Sequence, residues 1–186
     1  MENVYFLMLV TLALLAIVDI VVGVSNDAIN FLNSAIGSKV LSFKTIMIVS
    51  SIGIFIGAVY SSGMMEVARK GIFNPSEFYF DEIMMIFLAV IMTDILLLDF
   101  FNTLGLPTST TVSIVFNLLG AAIVMSLIKI AENNESVSDL VNYINTEKAT
   151  MIIGGILLSV LIAFSIGVIV QWVSRLIFSF QYEKKL

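Results

Sequence analysis

The sequence predicts an all-α integral membrane protein of about five crossings, in which two polar segments interrupt the helices as breaks or re-entrant turns. Three observations carry that prediction. Apolar residues make up 59% of the 186-residue chain and charged residues only 12%, whereas soluble domains hold roughly 45–50% and 25%. Mean hydropathy is correspondingly high, at +1.06. The apolar residues also cluster in runs of about 20, the length needed to cross roughly 30 Å of hydrocarbon. Finally, oxygen-rich stretches at residues 25–30 and 107–113 cut those runs.

Taken in order, the runs fall at residues 4–24, 46–60 (extensible to 62), 83–104, 113–130 and 151–178. Only Met1, Glu2 and Asn3 precede the first. With no basic flank and more length than a secretory signal, it reads as a retained membrane helix. Residues 28–38 are too few to span and read as a half-helix returning from the break at Ser25, Asn26, Asp27 and Asn30. Gly105 and Pro107 oppose helix continuation. Thr108, Ser109 and Thr110 can then cap a new helix beginning near Thr111. The last run is long enough to tilt, or to follow the interface past Trp172.

Residues 1–186 read as one membrane domain whose charge lies mostly in two outer loops, 61–82 and 131–148, the first turning at Asn74-Pro75. Glu66, Arg69 and Lys70 read as a solvated helix end. Placing the N-terminus outside puts Lys39, Lys44, Arg175, Lys184 and Lys185 inside, five of the chain's nine basic residues, in keeping with the positive-inside rule.

Without cysteine or histidine there are no disulfides, no thiolate or imidazole metal sites and no Ser-His-Asp chemistry. No basic stripe for nucleic acid is present. The chain therefore reads as a non-enzyme with no cofactor. Backbone that leaves the helix within a bilayer is tolerated where it lines a substrate path, so the two interruptions point to transport.

A half-helix N-terminus can hold a small anion such as phosphate or sulfate on backbone N–H groups. Asp27 would repel that anion unless a cation lay between them, and carboxylate, amide and hydroxyl oxygens suit sodium. An ionised carboxylate at depth is too costly to be idle. Single hydroxyls such as Ser25, Thr108 or Ser113 can equally bond back to their own helix. Asp94 and Asp99 stand roughly 140° apart around one helix, so they do not converge on a ligand. Asp99 shares a face with Asn102 and Thr103 that can line a cavity, while Asp19 and Asp94 read as structural or subunit-facing.

These motifs resemble the inorganic phosphate transporter (PiT) family, whose hallmark is Gly-Ala-Asn-Asp-x-Ala-Asn followed by small residues ending in Gly-Ser. The match here runs from Ser25 through Asn30, then Ser34 and Gly37-Ser38-Lys39. The family's Pro-Val-Ser-Thr-Thr-His-Ser-Ile-Val-Gly is similar to Pro107-Thr108-Ser109-Thr110-Thr111-Val112-Ser113-Ile114-Val115-Phe116, and its Glu-Thr-Ile-Arg-Lys-Gly-Ile to the segment from Met65 to Ile72.

The resemblance implies symport of inorganic phosphate with Na⁺ or H⁺ across the cell membrane. The implied fold is two inverted halves, of which this chain is the amino-terminal one, usually in a homodimer. By motif match, Asn26, Asp27, Asn30, Ser109, Thr110, Thr111 and Ser113 become candidate phosphate and cation ligands. Ser25, Ser34, Thr108 and Asp99 stand behind them, and Asp27 and Asn26 are the pair for a sodium ion. A sulfate or other oxyanion permease is the alternative within transport; a passive channel or a structural subunit is the alternative outside it. Val112 stands where the motif has histidine, Val24 where it has its first glycine, and no carboxylate lies between Lys44 and Glu66.

Overall fold

A computed structural model gives the architecture and describes residues 2–60 and 71–179. Its helices are α1 (Glu2–Ser38), α2 (Phe43–Tyr60), α3 (Phe80–Leu104), α4 (Thr110–Asn133), the single-turn α5 (Leu140–Tyr143) and α6 (Thr146–Ser179). Among the described residues there is no strand, only an isolated antiparallel bridge between Phe73 and Ile144. Among the described residues, five helices are long and apolar enough to cross a bilayer, as the runs of apolar residues predict. The proposed helix end at Glu66, Arg69 and Lys70 lies outside the described residues.

The predicted break at residues 25–30 is absent: α1 is one helix of 37 residues that passes straight through it. Ser, Asn and Asp interrupt helices when their side chains compete for nearby backbone, and here they are engaged otherwise. Ser25 Oγ donates to Val21 O at 2.7 Å, leaving the helix intact, and Asn26 and Asn30 bond across to another segment. Neither proline lies in this stretch, the two being Pro75 and Pro107. The half-helix expected at 28–38 is instead the last third of α1. Helix α1 ends at Lys39, which takes a left-handed φ of 55°, and the Ser42 hydroxyl accepts from Thr45 N at 3.3 Å as α2 begins.

The second predicted interruption is present, as a tight link between two crossing helices. Gly105 ends α3 with φ 67°, a conformation natural to glycine. Its N–H donates to Asn102 O at 3.0 Å and Leu106 N to Phe101 O at 2.9 Å, closing the carbonyl end of the helix. Pro107 follows, and Ser109 caps α4 by accepting from Val112 N at 3.4 Å. Helices α3 and α4 therefore run antiparallel as a hairpin.

Helix α1 lies along α3, with Tyr5 against Phe80 near their starts and Asn26 against Asn102 further along. At the hairpin's open end the segments 71–79 and 134–145 dock on one another. Asn74 N donates to Tyr143 O at 2.8 Å and Asn145 N to Ile72 O at 3.0 Å. Phe73, Phe78 and Tyr143 pack edge to face. Glu82 pairs with Lys129 at 2.7 Å, whose ammonium sits 4.3 Å from the centre of the Tyr79 ring.

Residues 1–146 and 147–186 form two compact units. The second consists, among the described residues, of the body of α6. The whole helix has 34 residues, roughly 50 Å at 1.5 Å each. Ser159 and Ser165 donate to Ile156 O and Leu161 O, which keeps this helix apolar towards its surroundings.

Candidate functional site

The polar residues of α1 meet the α3–α4 link. Asn26, with 0% of its surface exposed, organises the junction. Its Nδ2 donates to Asn102 Oδ1 at 2.7 Å and its Oδ1 accepts from Thr108 N at 3.0 Å. Asn102 Nδ2 in turn donates to Val22 O at 3.3 Å, and Asn30 Nδ2 to Thr108 O at 3.1 Å. Two backbone groups of Thr108, left without a helix by Pro107, are thus satisfied by α1 side chains. A rigid helix and a non-helical link hold each other through amides.

Asp27 projects beside this junction. Its Oδ2 accepts from Thr110 Oγ1 at 3.0 Å. Thr110 opens α4, whose first turn presents backbone N–H groups and the positive end of the helix dipole, so the carboxylate is held in a favourable field. Among the described residues Asp27 forms no ion pair.

Its other side lines a cavity of about 450 Å³ between α1 and α2, together with Ser50 and Ser51. Both hydroxyl protons are committed to the helix backbone, at Ile46 O and Met47 O. Their lone pairs therefore remain able to face a cation.

The structure thus gathers Asn26, Asp27, Asn30, Thr108 and Thr110, with Ser109 capping the adjacent helix. Thr111 is exposed on that same first turn. Ser113 faces elsewhere: its hydroxyl donates to the Asp94 carboxylate, which Asn117 Nδ2 also reaches at 3.0 Å. Ser25 is bonded back to its own helix, and Ser34 and Asp99 are exposed.

The face shared by Asp99, Asn102 and Thr103 contributes only Asn102. Asp94, read from sequence as structural or subunit-facing, is 1% exposed and buried inside the bundle, so the subunit-facing reading does not hold for it. Ser50 and Ser51 are the contributors that the sequence pattern leaves unmarked. A helical serine bonded to the carbonyl four residues back looks alike whether or not its lone pairs face a cavity.

Residues 23–185 match the model of the phosphate transporter family. The chain belongs to that family. It is 34% identical over 106 residues to a protein named as a phosphate permease in Mycobacterium bovis, an alignment covering 55% of this chain and 19% of that one. It is 31% identical over 103 residues to a phosphate permease by name in Thermococcus kodakarensis, covering 54% and 25%. A third, from Pyrococcus abyssi, is 28% identical over 123 residues, covering 64% and 30%. The matched region therefore spans between a fifth and a third of these relatives' length. No solved structure matches the chain. Membership in the phosphate transporter family agrees with a multi-pass membrane protein.

Proposed function

We propose that the protein forms part of a cation-coupled phosphate symporter and that Asp27 is where cation and phosphate meet. The observation that carries this reading is the Asp27–Thr110 contact, which sets a carboxylate with no ion pair among the described residues against the start of α4 and beside a largely apolar cavity that Ser50 and Ser51 also line. Cation and anion then share one address. Among the described residues no cluster of three or more acidic, histidine or cysteine side chains could hold a metal ion. One carboxylate with neutral oxygens suits a monovalent cation.

Coupling follows from electrostatics. With Asp27 ionised and bare, phosphate at the N–H groups of Thr110 and Thr111 would meet a like charge. At an effective dielectric of ~20, two unit charges ~5 Å apart repel by about 3 kcal/mol, or about two powers of ten in affinity. A sodium ion or proton at Asp27, backed by Ser50 and Ser51, removes that repulsion and leaves the α4 N-terminus free for the anion. Neither ion is then held well alone.

The family resemblance and the short span of the relatives covered support a second, inverted half that closes the site, supplied by further chain or by another copy, within a homodimer at the cell membrane and with the N-terminus outside. The test is uptake of labelled phosphate into proteoliposomes by the full-length protein under separate sodium and pH gradients, with excess sulfate as competitor. Asp27→Asn should reduce gradient-driven accumulation about 100-fold while phosphate binding without the cation improves. Unaltered accumulation in that variant would remove Asp27 from the mechanism; stronger competition by sulfate than by phosphate would reassign the substrate.

A further inference from the structure

A second acidic site lies deeper in the same bundle. Asp94 of α3 is buried, and Ser113 Oγ and Asn117 Nδ2 from α4 both donate to its Oδ1. Its Oδ2 has no hydrogen-bond donor, and neither has Asp19 Oδ1 on α1; these are the buried side-chain oxygen or nitrogen atoms without a partner among the described residues. Tyr5 against Phe80 and Asn26 against Asn102 set α1 and α3 in a parallel register offset by 75 to 76 residues, which places Asp19 opposite Asp94.

Carboxylates are acceptors only, so a hydrogen bond between two of them requires a proton on one. Two ionised carboxylates held together away from water are strongly disfavoured. Among the described residues no basic group pairs with either. Helix α1 contains no lysine, arginine or histidine, nor does α3; the basic residue of α4 is Lys129, held by Glu82 at the far end of the hairpin. The groups that α4 presents to the pair are the neutral Ser113 and Asn117.

We propose that Asp19 and Asp94 form a proton-binding site in which a single proton is shared between them, carried on Asp19 and donated to an ionised Asp94. The asymmetry of donors sets that assignment. Asp94 receives two hydrogen bonds that favour its charge, whereas no side-chain donor reaches Asp19 among the described residues. The site is separate from Asp27 yet joined to it through one element. Thr110 bonds Asp27 and Ser113 bonds Asp94, three residues apart at the start of α4. A shift of that turn would loosen both acids together, so the pair is placed to release its proton when the Asp27 site rearranges.

The inference stands on this geometry and not on the transport reading. The test is infrared spectroscopy of the full-length protein in lipid at neutral pH and without sodium, following the C=O stretch of a protonated carboxylic acid. The expected result is a band that shifts in D2O and disappears in Asp19→Asn, whose amide can still donate to Asp94. In Asp94→Asn the band should move in frequency as Asp19 loses its ionised partner, which keeps the test open should the first variant fail to fold. Absence of any protonated-carboxyl band, or a band unaltered in both variants, would overturn the proposal. So would a band that vanishes on adding sodium alone, which would make the pair a metal site. A band of the expected kind with no phosphate uptake would uphold the pair and sink the symporter, and the converse would do the reverse.

Discussion

The two ends of the α3–α4 hairpin solve the same problem differently. At the open end, loops 71–79 and 134–145 close over the helices with aromatic rings, beside one ion pair, Glu82 with Lys129, and a hydrogen bond from Tyr143 to Glu135. At the linked end, Gly105 to Ser109 is held by neutral amides, and the carboxylate of Asp27 has a hydroxyl and a helix dipole for company but no ion pair among the described residues. On the proposed reading, the linked end is where cation and phosphate bind.

The contrast can be broken from either side. Phe73 is 1% exposed within the aromatic cluster, and Phe73→Ala should destabilise the protein by about 3–5 kcal/mol through lost burial and a cavity. Thermal unfolding in detergent checks this, and the folded fraction should still bind phosphate with wild-type affinity. A loss of affinity in folded protein would mean that the open end is part of the site. Asn26→Ala strands Asn102 Oδ1 and Thr108 N together, so it should cost about 2–4 kcal/mol and also weaken phosphate binding, because Thr110 follows the link. A variant destabilised but normal in binding would show the amide junction to be scaffold alone.

How far the sequence foretells these two ends differs as well. Apolar run length alone places all five crossing helices, since a bilayer admits few other solutions. Gly105, Pro107 and Ser109 mark the link because each acts on its own backbone, by left-handed φ, by a missing N–H and by capping. The stretch from Ser25 to Asn30 misleads for the opposite reason: its local preference for leaving the helix is overridden by partners 76 to 83 residues away. Asp27 is legible as a lone carboxylate in an apolar run. Its setting with Ser50 and Ser51, and the pairing of Asp19 with Asp94, depend on how helices pack, which no spacing within one helix records.

The smallest effect concerns the open end and alkaline pH. The hydrogen bond that Tyr143 Oη donates to Glu135 Oε2 at 2.9 Å, with burial and the Glu135 charge behind it, raises the phenol above its ordinary value of 10.0. A group whose folded value is raised lends stability that is whole below its unfolded value and lost as pH climbs through the folded one. The loop contact should thus hold to about pH 10 and fade above it. Melting temperature followed against pH should show the wild type converging on Tyr143→Phe only in that alkaline range, with phosphate binding at neutral pH equal in both.

The central claim is that Asp27, at the cavity shared with Ser51, governs whether phosphate can enter. The sequence contains no cysteine, so Ser51→Cys, made in full-length protein otherwise free of cysteine, reports on that cavity through its rate of modification by a membrane-impermeant thiol reagent. With Asp27 present, phosphate should slow the reaction only together with the coupling cation; with Asp27→Asn added, phosphate alone should suffice. A rate indifferent to phosphate in both backgrounds would contradict the account.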